Sequence, residues 1–219
     1  MIGQLSKEEV NRKLLHILAV ILPCGIFYIP LNFEIHRLNA CLIIFSLLFL
    51  SIFVEIIRMR DSGFSKWFFY SFSSMMRVEE KNQLTGATYV VGGSAICSLI
   101  SLHSDKAAIC AFLCLTLFIL GDAAAAVIGK AFGRLKVGQK TLEGALACFS
   151  LCVFLSFFIF PSLPFFSEFW GGEITFFQII FISALISILE FFPIRWNNFV
   201  LNDNLYVPGT TSLVAIIIN

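Results

Sequence analysis

The residues with the most evident chemistry lie in one stretch, Gly121–Ala147, which reads GDAAAAVIGKAFGRLKVGQKTLEGALA. Asp122 stands inside an apolar run, and the loop after it carries Lys130, Arg134, Lys136 and Lys140, then Thr141 and Glu143. A carboxylate at membrane depth costs roughly 2.5–3.5 kcal/mol on insertion scales, so it is rare there and usually functional. The acid reads as a metal ligand or a base, and the four cations as a seat for phosphate, with Arg134 and Lys140 as charge-assisted donors. Gly129 and Gly133 are small enough to let backbone amides come close to a phosphate. Asp203, in Asn202-Asp203-Asn204, joins Asp122 in a Mg²⁺ site shared with a triphosphate, or else the Asx run only caps a turn. Arg12, Lys13 and His16 fall at i, i+1 and i+4 on one helical turn, where they either anchor a span at the interface or face the same site. Glu55 and Glu190, near span ends, could each snorkel or pair with Arg58 or Arg195; Glu55 reads that way, while Glu190 stays open between that and function. The expectation is a membrane enzyme that handles a phosphorylated, metal-bound substrate at the bilayer surface.

The elements that must position these groups follow from composition. The 219 residues are 58% hydrophobic and 13% charged, with mean hydropathy +0.91. Soluble domains hold roughly 45–50% apolar and about 25% charged residues, so the chain reads as an all-α, polytopic integral membrane helix bundle. The apolar runs are Leu14–Leu31, Leu38–Ile57, Leu84–Leu102, Ala107–Gly129, Gly144–Phe160, Thr175–Phe192 and a short Leu205–Ile218. They predict about seven transmembrane helices in a single domain over residues 1–219, with no soluble domain and no cleavable signal. Phe64–Met76, rich in aromatics and Ser, reads as an interfacial helix. With the N-terminus cytoplasmic, every Lys and Arg except Arg37 and Lys106 falls on the inner side. The positive-inside rule therefore turns the polar motifs, Glu79, Glu80 and Lys81 among them, toward the cytoplasm. The positive charge sits in short loops and implies no nucleic acid. Seven cysteines form no CxxC pair; Cys110/Cys114 and Cys148/Cys152, four apart, read as small packing residues. Gly133–Thr141, GRLKVGQKT, approaches the P-loop pattern, but it carries an extra Gln139 and follows a span rather than a strand, so it is rejected.

Taken together, these residues resemble the CTP-dependent lipid kinases (dolichol kinase, phytol kinase and the CTP-type diacylglycerol kinase) within the phosphatidate cytidylyltransferase superfamily. Arg12-Lys13-Leu14-Leu15-His16 is similar to the family's N-terminal RK..H, and Gly121-Asp122 through Gly129, Gly133-Arg134 and Lys140-Thr141-x-Glu143-Gly144 to its central pattern. Asp203-Asn204-Leu205-x-Val207-Pro208 is similar to DNL.iP, and Glu79–Tyr89 to the E....tGa.Y stretch. The matches run from residue 12 to residue 208. One departure is Asn202, where members commonly carry a second acid.

The resemblance implies transfer of the γ-phosphoryl group of CTP to the hydroxyl of a lipid alcohol: diacylglycerol, a polyprenol or dolichol, or phytol. It also implies Mg²⁺ or another divalent cation, membrane lipids as surroundings, and an active site facing the cytoplasm from an inner or endomembrane. Asp122 is then metal ligand or base, and Arg134, Lys140 and Thr141 belong to the nucleotide. Glu143 assists the metal or orients Lys140, while Asp203 and Asn204 complete the metal–nucleotide site. Arg12 and Lys13 contact a phosphate, and His16 lies near the acceptor hydroxyl. The alternatives are a CTP:phosphatidate cytidylyltransferase, whose Asp-rich C-terminal signature is absent here, and a small transporter, whose charges would have to line a path rather than one face.

Overall fold

Each long apolar run becomes a helix in the computed structural model, which describes residues 7–76, 80, 83–196 and 199–219. Arg77, Glu79 and Lys81 lie outside the described residues. The helices are α1 (Lys7–Leu18), α2 (Ile21–Asn32), α3 (Arg37–Arg60), α4 (Ser62–Phe72), α5 (Gly86–Ser101), α6 (Asp105–Phe132), α7 (Leu142–Phe154), α8 (Phe166–Trp170), α9 (Phe176–Phe191) and α10 (Asp203–Ile218). Short polar side chains set several of their starts: Ser104 Oγ accepts from Ala107 N, Thr141 Oγ1 from Gly144 N, and Asn202 Oδ1 from Asn204 N. Thr175 and Gln178 form a capping box on α9.

The first apolar run is not one straight helix. It breaks at Ala19–Val20, where hydrogen bonds shorten to three-residue spacing (Ala19 N to His16 O, Val20 N to Ile17 O). Pro23 explains the break, because its ring clashes with the carbonyl four residues earlier, that of Ala19. Two antiparallel hairpins also modify the all-α expectation: β1 (Lys136–Val137) with β2 (Lys140–Thr141), and β3 (Arg195–Trp196) with β4 (Phe199–Val200). Gly138, at φ +63°, takes the first position of the two-residue turn between β1 and β2, which favours glycine. The stretch after α7 is an aromatic plug: Phe160, Phe166 and Trp170 are buried, and the last two stack at 5.6 Å.

α6 is the axis of the bundle. Every residue from Ala107 to Ile119 is buried, as expected of a helix apolar on all sides. Around it the outward faces are apolar, with Leu18, Ile21, Phe49, Phe53 and Phe177 all more than half exposed. Four segments are long and apolar enough to cross a membrane: Glu8–Asn32, Arg37–Arg60, Asp105–Phe132 and Leu142–Ser162. Gly86–Ser101 and Phe176–Phe191 are shorter apolar helices.

Where lipid competes with side chains for apolar contact, helices associate by close approach of small residues rather than by hydrophobicity. Gly121, Ala125 and Gly129 form such a stripe on α6, facing α7. A Cβ on Gly121 would lie 2.7 Å from Cys148 Sγ, and one on Gly144 would lie 2.6 Å from the Ala125 carbonyl. The cysteines are packing residues, and all seven are free thiols. On the other flank of α6, Gly93 of α5 leaves no space for a Cβ against the Asn204 carbonyl of α10. Pro208, four residues on, has no N–H to offer that carbonyl.

Candidate functional site

Helices α1, α6, α9 and α10 and the β1–β2 hairpin converge at one end of the bundle and bring together residues far apart in sequence. Lys13 Nζ of α1 lies 2.7 Å from Asp122 Oδ2 of α6. Lys140 Nζ of β2 lies 2.5 Å from Glu190 Oε1 of α9 and 2.8 Å from Asp203 Oδ2 of α10, and it also donates to the Glu190 carbonyl. Asp122, Glu190 and Asp203 each present an oxygen within 4.8 Å of the others. Sequence reasoning left Glu190 open; its place, one helix face from Asp203 and opposite Lys140, puts it in the acid group.

A set of three hard carboxylate oxygens fits Mg²⁺, which is commonly bound through one or two carboxylates, waters and substrate phosphates. Two neighbouring polar atoms are buried without a hydrogen-bond partner among the described residues: Asn204 Oδ1 and His16 Nε2. His16 Nε2 is 3.3 Å from Asp122 Oδ2, close enough for charge attraction but out of line for a hydrogen bond. Burial works against the charge on Lys140, but Asp203 and Glu190 outweigh it and hold its pKa above the ordinary lysine value.

Glu143 lines the site's cavity from the first turn of α7. Its carboxylate accepts from the backbone amides of Arg134 (2.9 Å) and Leu135 (3.2 Å). It therefore ties the end of α6 to the start of α7 rather than joining the acids. The two loop glycines are also packed: a Cβ on Gly129 would stand 2.6 Å from Thr141 Oγ1, and one on Gly133 2.6 Å from Thr141 Cγ2. Thr141 is thus the residue that caps α7 and seats the hairpin on α6. Arg134 and Lys136 are exposed on the rim, and Arg12 is half-buried beside Glu9, which also pairs with Lys130.

A second polar cluster sits where α3, α4 and α5 meet. Arg58 is buried and binds Glu55 Oε2 through Nε at 2.7 Å, with its other nitrogens on the carbonyls of Glu80 (2.9 Å) and Gln83 (2.6 Å). Glu55 Oε1 accepts from Thr85 N, Thr85 Oγ1 and Thr88 Oγ1. This bears out the pairing expected of Glu55. Arg37 and Lys106, the two exceptions to the charge pattern, lie at the other end of α6. There Arg37 pairs with Asp105, about 25 Å from Asp122 by helix rise.

One cavity of about 2030 Å³ joins these parts. Arg12, Lys13, His16, Asp122, Arg134, Lys140, Glu190 and Asp203 line its polar end; Leu15, Leu18, Leu22, Phe72 and Val91 line its apolar arm. Pockets for one drug-sized ligand run about 300–1,000 Å³, so this one has room for two reactants.

Among curated proteins, the chain is similar to the uncharacterized protein RP860 of Rickettsia prowazekii (strain Madrid E). The two are 27% identical over 204 residues, covering 91% of this chain and 89% of that protein. No protein-family model matches the chain, and no solved structure matches it significantly.

Proposed function

We propose that this chain is an integral membrane enzyme that transfers the γ-phosphoryl group of CTP to the hydroxyl of a lipid alcohol. The observation that carries the reading is the convergence of Asp122, Glu190 and Asp203 with Lys13, Lys140 and His16 at the mouth of a cavity whose other arm is apolar. The nucleotide and the reaction rest on the motif resemblance. In this reading α1–α2, α3, α5, α6, α7, α9 and α10 are the seven crossings, and the N-terminus is cytoplasmic. Gathering Arg37 and Lys106 at the far end supports that orientation.

Phosphoryl transfer is mainly positioning and charge neutralisation around a loose transition state. Asp122, Glu190 and Asp203 would hold a divalent cation, which would supply part of that neutralisation. Lys13, Lys140, Arg12 and Arg134 supply the rest on the phosphate oxygens. The lipid oxygen attacks the γ-phosphorus as its proton passes to His16 Nε2, and the bond to the bridging oxygen breaks to release CDP. Asp122 beside the ring stabilises the imidazolium. Glu143 acts one step back by fixing the Arg134 backbone.

The test uses purified protein in detergent with Mg²⁺ and γ-labelled CTP or ATP, offered diacylglycerol, phytol and a polyprenol separately. Label in one lipid from CTP and not from ATP is the expected result. CDP-lipid formed from phosphatidate, with no labelled alcohol, would replace the kinase by the cytidylyltransferase; silence in both would end the reading.

A further inference from the structure

The cavity's apolar arm is not needed by a nucleotide or a metal, and its position on the bundle says what it admits. On α1 the lining changes character within two turns, from Arg12, Lys13 and His16 to Leu15 and Leu18, and it continues on α2 with Leu22. Across the arm stand Phe72 at the end of α4, Met75 in the short helix after it, and Val91 on α5. Leu18, in this lining, is 69% exposed, so the arm opens sideways through the apolar flank of the bundle rather than only at its polar end. The break at Ala19–Val20 falls at this opening.

The opposite wall is tied together by Arg58. Phe68, which also lines the cavity, lies 5.8 Å from the guanidinium of Arg58, and Arg58 holds the carbonyls of Glu80 and Gln83 that lead into α5. α4 and the α5 start are thus pinned together by one buried cation. An aperture with an apolar lining and a charged, hydroxyl-accepting end suits an amphiphile. A water-soluble reactant would leave its apolar arm unfilled.

We infer that the groove between α1–α2 and the wall of Phe72, Met75 and Val91 seats the hydrocarbon tail of a lipid admitted sideways from the bilayer, with its hydroxyl end delivered to His16 and Asp122. This deepens the proposed reaction and rests on it only for what happens at the hydroxyl. The tail leaves the site along α1 toward the middle of the bundle, so Leu15, Leu18, Leu22, Phe72 and Val91 set which chains are accepted.

The test is photolabelling of the full-length protein in nanodiscs with a long-chain primary alcohol carrying a mid-chain diazirine, mapped by mass spectrometry. Labelling concentrated on residues 15–22, 72–75 and 87–91, removed by excess unlabelled alcohol but not by added phospholipid, is expected. Labels spread over the outer face of α3 (Leu42, Phe49, Phe53) without competition would overturn the inference, since that pattern is bulk lipid. Leu22→Trp and Val91→Trp are expected to raise the KM for the lipid alcohol at least about tenfold, the scale of a misfit of one or two methylenes, with the KM for CTP unchanged. Groove labelling without phosphoryl transfer would remove the kinase and leave the lipid seat. Transfer with labels elsewhere, or with unchanged lipid KM in both Trp variants, would do the reverse.

Discussion

Replacing Arg58 by Met removes the cation from a buried pair and leaves Glu55 behind. Deleting one partner of such a pair costs about 3–5 kcal/mol, because the remaining charge stays buried. Here Glu55 keeps three donors, from Thr85 N, Thr85 Oγ1 and Thr88 Oγ1 at 2.9, 2.6 and 3.0 Å, which places the expected loss at the lower end. For a chain of this length about 3 kcal/mol corresponds to a fall in Tm of roughly 6–12 °C. The carbonyls of Glu80 and Gln83 lose a donor as well, so the cavity wall before α5 loosens and lipid affinity falls with stability. The double variant Glu55→Gln/Arg58→Met removes both charges and should recover most of the loss, since apolar replacement of a whole buried pair is often neutral. Thermal unfolding in detergent, followed by tryptophan fluorescence, reads all three. An Arg58→Met Tm within about 2 °C of wild type, or a double variant no better than the single, would refute the reasoning.

Three further outcomes follow from the site. Asp122→Asn should reduce phosphoryl transfer by roughly a hundredfold or more while the protein stays monodisperse in detergent, because it removes charge at the reacting centre. Mg²⁺ should raise the wild-type Tm by binding the folded state; Glu190→Gln with Asp203→Asn should abolish that shift, and retention of the shift would move the metal elsewhere. Glu143→Gln should weaken the clamp on the Arg134 and Leu135 amides and raise the KM for CTP, with Tm nearly unchanged because these hydrogen bonds are exposed; an unchanged KM would remove Glu143 from the positioning of Arg134.

The helices were largely legible because membrane-length apolar runs announce themselves: Ala107–Gly129 in the sequence is α6 almost to its ends. The break at Ala19–Val20 is signalled only by Pro23, because continuous hydrophobicity masks the backbone consequence of a missing N–H. The site was half legible. Lys13, Asp122, Lys140 and Asp203 stand out by charge in apolar surroundings, and they do meet. Glu190 carries the same signal, but nothing in the local sequence says that its partner is Lys140, 50 positions earlier. Gly129 and Gly133 line the cavity and also admit Thr141, which a Cβ at either would strike, so their smallness serves a packing contact that the spacing alone does not name. A pattern of small residues records a close approach without naming what approaches.

Asp203 belongs to α10, and Lys13 to α1, at nearly opposite ends of the sequence. During synthesis the acid group therefore stays incomplete until α10 has docked between α5, α6 and α9, after every other contributor is already in place. Until then Lys13 and Lys140 face, among the described acids of the site, only Asp122 and Glu190, so Lys140 lacks one of its two carboxylate partners. The acid group is thus completed last, and an intermediate lacking α10 holds two of its three carboxylates.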